Sequence, residues 1–202
     1  MESDNGKSDA LGDKSPRARL GTLLPGDGVE LLGAGSRAVR TVLLCSEVVE
    51  DRIYHWRWLF LDDGSLVEVS PDGYFWYREH REVPPGSSLY EQLVAKDGAL
   101  VHFEEWVRSG RSGPPVLVGI DAKEYQLTGT GTVDVQRLGD PPGQEVWAAL
   151  DPDPDENVYF GLVDTANEAK VILGLWTSQV CLSFGAELGE ADVIAVHRKG
   201  KG

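Results

Sequence analysis

The densest set of cation-competent side chains in the sequence is Asp151-Pro152-Asp153-Pro154-Asp155-Glu156. Carboxylates at every second residue match the opening of a calcium loop, where alternate side chains converge on the ion. The match then stops. The sharp-turn glycine of such a loop is replaced by Glu156, and its distal bidentate acid by Leu162. The two prolines also stiffen the run towards extended structure. Asp151, Asp153, Asp155 and Glu156 are candidate metal ligands, weighed against a solvated acidic loop.

A second constellation is aromatic. Tyr54, Trp56, Trp58 and Phe60 alternate with His55, Arg57, Leu59 and Leu61, the period of a β-strand. Tyr74-Phe75-Trp76-Tyr77 follows after two turns. Tyr54, Trp56, Trp58, Tyr74 and Trp76 are candidate interaction residues, since Trp and Tyr anchor interfaces. Aromatics at strand spacing also fill sheet cores, and that reading stands beside the first.

The rest of the chemistry is sparse. His55, His80, His102 and His197 show no metal-ligand spacing. Gly33-Ala34-Gly35 and Gly129-Thr130-Gly131 open no helix of a βαβ unit, so neither supports nucleotide binding. No serine stands in a G-x-S-x-G context. Glu104 and Glu105 are adjacent on a predicted helix and diverge. Cys45 and Cys181 lie among apolar neighbours and read as buried reduced thiols. No nucleophilic, acid–base or metal constellation rises above chance, and no cofactor is implied.

Charge narrows the partners. The 202 residues carry 33 acids and 19 bases, a formal net charge of −14. Residues 121–197 hold most of it, with 14 acids against Lys123, Arg137 and Lys170. Such a field disfavours nucleic acid and anionic lipid and favours a protein partner with a basic surface, or a cation. No apolar run is long enough to span a bilayer, and residues 1–19 lack the apolar core of a secretory signal. With the thiols, this predicts a cytoplasmic protein.

The elements follow from periodicity and turn chemistry. The predicted class is α+β and β-rich, with antiparallel strands in two lobes and a short central helical insert. Residues 1–19 read as a disordered tail and 20–85 as an aromatic-rich antiparallel lobe. Residues 86–112 form the insert, with Ser88-x-x-Glu91 as a capping box. Residues 113–196 form an acidic β lobe, and 197–202 a basic tail that frays in solvent.

Four stretches carry a resemblance: the hairpin Trp58–Val69, the helix Phe103-Glu104-Glu105-Trp106-Val107, the strand Glu124-Tyr125-Gln126-Leu127, and Cys181–Leu188. Their order resembles the YjfK-like family of bacterial cytosolic proteins, over roughly residues 23–193. Gly26-Asp27-Gly28-Val29 and Trp56-Arg57-Trp58 are also similar to small bacterial β domains with a Gly-Asp-x-Val start. Neither group has catalytic residues to carry over. The first implies an accessory role beside membrane-stress proteins of the phage-shock type. The acidic 151–156 loop and the N-terminal tail depart from it.

Two functions are therefore expected: a non-enzymatic interaction or scaffold module, or a small-molecule or divalent-cation-binding protein or hydrolase with its site between the lobes.

Overall fold

The computed structural model describes residues 15–142, 157–166, 169–176 and 179–200. Its elements run α1 (Pro16–Arg19), β1 (Gly28–Leu31), β2 (Gly35–Val49), β3 (Arg52–Leu61), β4 (Leu66–Ser70) and β5 (Gly73–Val83). Helices α2 (Ser88–Val94) and α3 (Ala99–Arg108) follow. The chain then returns to strands: β6 (Leu117–Ile120), β7 (Lys123–Thr132), β8 (Asp134–Gly139), β9 (Asn157–Asp164), β10 (Lys170–Trp176), β11 (Gln179–Glu187) and β12 (Val193–His197). The fold is β-rich and its strand pairings are antiparallel.

The turns explain the meander. Between β3 and β4, Gly64 takes a φ of +85°, and Asp63 Oδ1 accepts from the Ser65 amide at 2.9 Å. That glycine conformation and aspartate acceptor reverse the chain in few residues. The β2–β3 reversal needs only Glu50 and Asp51, since Val49 already pairs with Arg52.

The sheet order is β12-β1-β2-β3-β4-β5-β11-β10-β9-β7-β6, with β8 also on β2. β7 leaves β9 at Thr132, and two residues later the same run continues as β8 along β2. The neighbours β2 to β5, β11, β10, β9 and β7/β8 therefore lead back to β2, and the sheet is rolled about an interior. β5 pairs with β11, β2 with β8 and β1 with β12. Strands from 20–85 and 113–196 thus share one sheet, and three pairings cross the expected lobe boundary.

Alternation sorts the apolar residues into three layers. Leu43, Cys45, Trp58, Phe60, Leu66, Tyr77, Val133, Ile172 and Cys181 fill the interior. The opposite face of β7 and β9–β11 packs on α2 and α3 through Leu93, Leu100 and Phe103. The opposite face of β2–β4 packs on β1, β12 and the N-terminal turns through Leu20 and Leu23.

Three details correct the sequence reading. Pro16–Arg19, placed in the disordered tail, form a helical turn with Arg17 Nη1 on the Leu188 carbonyl at 3.1 Å. The cap of α2 is Ser87, not Ser88; its Oγ accepts from the Tyr90 amide at 3.2 Å. Arg198 and Lys199, assigned to a fraying tail, are held by Asp27. Its carboxylate accepts from Arg198 Nη1 at 3.1 Å and the Lys199 amide at 2.8 Å. The physical reason is the same at both ends: a charge or amide finds a fixed, nearly buried partner distant in sequence.

Among the described residues, no helix is long and apolar enough to cross a membrane.

Candidate functional site

The site begins with the β3–β4 hairpin. Its register sets Glu68 opposite Trp58, so a carboxylate shares the inward face with the aromatic row. Glu68 is only 6% exposed. Its Oε2 accepts from Trp58 Nε1 at 3.4 Å and from the Tyr77 hydroxyl at 3.2 Å. Its Oε1 lies 3.2 Å from Lys170 Nζ. The Lys170 ammonium also stands 3.9 Å from the Phe75 ring centroid. A carboxylate buried alone in an apolar interior is costly, and here a cation and two donors offset that cost. Burial first, then the Glu68 charge and hydrogen bond, push the Tyr77 phenol well above its ordinary pKa.

A second layer lies outward on the same face. The Tyr159 hydroxyl from β9 donates to Glu47 Oε2 from β2 at 2.7 Å. Trp56 stands edge-on between Trp58 and Tyr159, with centroids 6.0 Å and 5.9 Å away. Burial, then the hydrogen bond to Glu47 and the charges of Glu47, Glu68 and Asp72, raise the Tyr159 pKa. That phenol therefore stays protonated and keeps donating to Glu47 at neutral pH.

Glycine opens the space. Gly131 pairs with Tyr159 and Gly129 with Gly161. A Cβ on Gly131 would fall on Glu47 Oε1, so the missing side chain at Gly131 makes room for that carboxylate. A strand glycine often marks such a close approach.

The result is a cavity of about 290 Å³ at one mouth of the roll. Trp56, Tyr54 and Tyr159 supply aromatic wall, and the β4–β5 turn brings Ser70 and Asp72 to the rim. Three carboxylates, Glu47, Glu68 and Asp72, face one ammonium, Lys170. Beside the mouth the β2–β3 tip projects, with Val48 65% and Ile53 62% exposed.

The five sequence-predicted aromatics are divided by the alternation. Tyr54, Trp56 and Trp58 point to the interior and its mouth. Tyr74 and Trp76 pack on the opposite face, against the layer of Leu20 and Val67. Arg17 covers the Tyr74 ring at 4.9 Å and Arg78 the Trp76 ring at 4.9 Å. The Asp151, Asp153, Asp155 and Glu156 quartet lies outside the described residues. Among the described residues, no group of three or more His, Cys, Asp or Glu side chains is placed to hold a metal.

Sequence reasoning missed Glu47, Glu68, Tyr159 and Lys170. Glu68 had a signal: the hairpin register places it across from Trp58. The others reach the mouth only through pairings distant in the chain.

One further pair has the atoms of a nucleophile and its base. His80 Nδ1 lies 2.8 Å from Ser183 Oγ, and burial lowers the His80 pKa to about 4. Ser183 is 1% exposed, so a substrate has no access to its oxygen, and the contact serves the core. Both thiols are likewise buried; burial and then the Glu82 charge push Cys181 up to about 12. Comparison with family models, curated proteins and solved structures finds no match to this chain.

Proposed function

We propose that the chain is a non-enzymatic interaction module for a protein partner with a basic surface, and that the partner seats a basic segment in the mouth of the roll. The observation that supports this is the mouth itself. It is a preformed cavity with aromatic walls and a surplus of carboxylates, set beside an exposed apolar tip. Trp and Tyr bury large areas at interfaces, and complementary charge steers the encounter. The net charge of −14 acts in the same direction at longer range. An accessory role beside bacterial membrane-stress proteins in the cytoplasm is proposed from the resemblance alone.

Isothermal titration tests the reading with two short peptides, one carrying mixed Lys and Arg and one carrying Glu at the same positions. The basic peptide binds, and Trp56→Ala weakens it about tenfold. The acidic peptide does not bind. If Trp56→Ala binds the basic peptide as well as the wild type does, only diffuse surface charge is at work and the reading fails.

A second reading has the same mouth hold a small organic cation. The mouth draws Glu47, Trp56 and Glu68 from one half of the chain and Tyr159 and Lys170 from the other, and its volume is at the small end of ligand pockets. A thermal-shift panel of organic amines, calcium and magnesium separates the two. A rise in Tm with an amine but no peptide binding favours the small ligand.

A further inference from the structure

The mouth repeats, one layer outward, an arrangement that the interior already completes. In the inner layer an ammonium is bracketed by a ring and a carboxylate: Lys170 Nζ is 3.9 Å from the Phe75 centroid and 3.2 Å from Glu68 Oε1. In the outer layer the rings are Trp56 and Tyr159 and the carboxylate is Glu47. Among the described residues, no basic side chain pairs with Glu47.

The two carboxylates also discriminate between cation shapes. A guanidinium is planar and is best met by both oxygens of one carboxylate. Glu47 Oε2 already accepts from Tyr159, and Oε1 lies against the Gly131 backbone. Glu68 has Oε2 engaged by Trp58 and Tyr77 and Oε1 by Lys170. Neither offers an open fork. An ammonium needs none, because it is a compact charge on a flexible apolar stem, and an aromatic face with a single oxygen suits it.

Resting on the reading above, we propose that the mouth is a receptor for a lysine side chain of the partner, with the ammonium on the cavity side of the contacting Trp56, Tyr159 and Glu47 side chains and the stem along the aromatic wall. Arginine is the poorer fit. The same groups accept a methylated lysine, since methylation keeps the charge and adds apolar surface to a cation–π contact.

Fluorescence titration with two peptides of equal length and charge, one bearing lysine and one arginine, tests this on the full chain at physiological ionic strength. The lysine peptide binds about tenfold more tightly. Glu47→Gln, nearly the same shape, removes most of that preference, while Glu190→Gln on a distant exposed turn leaves it intact. Asp72→Asn, on the rim, is the second variant should Glu47→Gln fold poorly, and it lowers lysine affinity by a smaller factor. If both peptides bind equally and both lose affinity in Trp56→Ala, the basic-partner reading stands and the lysine assignment is overturned. If Glu47→Gln and Glu190→Gln weaken binding alike, or if neither peptide binds, both are overturned.

Discussion

Removing Lys170 should destabilise the roll, and removing the charge of Glu68 as well should restore most of the loss. Glu68 is nearly sealed from water, and Lys170 is its cationic partner. Breaking a buried pair from one side costs roughly 3–5 kcal/mol. The Lys170 side chain is 21% exposed, so water partly replaces it in the variant. A loss of about 2–3 kcal/mol is therefore predicted for Lys170→Met. Glu68→Gln alone leaves the ammonium with the Phe75 ring and the solvent at the mouth, at a cost of about 1–2 kcal/mol. In the double variant the amide oxygen that replaces Glu68 Oε2 still accepts from Trp58 and Tyr77, and no charge is buried. It should lie within about 1 kcal/mol of the wild type. The coupling energy is then about 2–5 kcal/mol. Urea unfolding of all four proteins at neutral pH, with unchanged slopes, measures it. A double variant whose loss equals the sum of the singles would refute the claim that the pair is one electrostatic unit.

Two pH profiles and one glycine extend the same reasoning. Burial alone would raise the Asp27 carboxyl, but the amides of Lys199 and Leu24 and the Arg198 guanidinium outweigh it and hold its pKa below the usual range. Its contribution is therefore present above the unfolded carboxylate pKa and lost as the pH falls through the lowered one. Asp27→Asn should cost about 2 kcal/mol at neutral pH, with the deficit shrinking in acid-titrated urea melts. For His80 the folded pKa of about 4 lies below the unfolded 6.5, so the unfolded state takes up more protons between them. Stability should fall by about 2 kcal/mol from pH 7 to pH 5, and His80→Gln should remove that slope. Gly131→Ala should displace Glu47, break its bond from Tyr159 and weaken basic-peptide binding about tenfold in calorimetry.

Much of the meander was legible because its causes are local. Period-2 alternation marks Tyr54 to Phe60 as a strand, and Asp62-Asp63-Gly64 turns it back with a register that can be counted. Which face of an aromatic strand is the interior is not local. Trp56 and Trp76 look alike in sequence, yet one lines the mouth and the other packs outside, because the β4–β5 register sets Trp76 opposite Val67, on the face of the sheet turned away from Glu68. The closure is less legible still. It depends on a single run, β7 into β8, leaving β9 for β2, and Thr132-Val133-Asp134 carries no distinctive turn residue. Lys170 reaches Glu68 across 102 positions of sequence, and Tyr159 reaches Glu47 across 112. Long-range register, not side-chain type, decides those meetings. The charge asymmetry pointed to the C-terminal half, whereas two of the mouth's three carboxylates, Glu47 and Glu68, sit on β2 and β4 and the third, Asp72, in the β4–β5 turn.

The most direct test of the mouth as the binding site is an amide NMR titration of the full chain with the lysine peptide. Shifts confined to Glu47–Trp56, Ser70–Asp72, Tyr159–Gly161 and Lys170 are predicted. Shifts spread over distant acidic positions such as Glu104, Glu105 and Glu190, with the mouth unmoved, would contradict it.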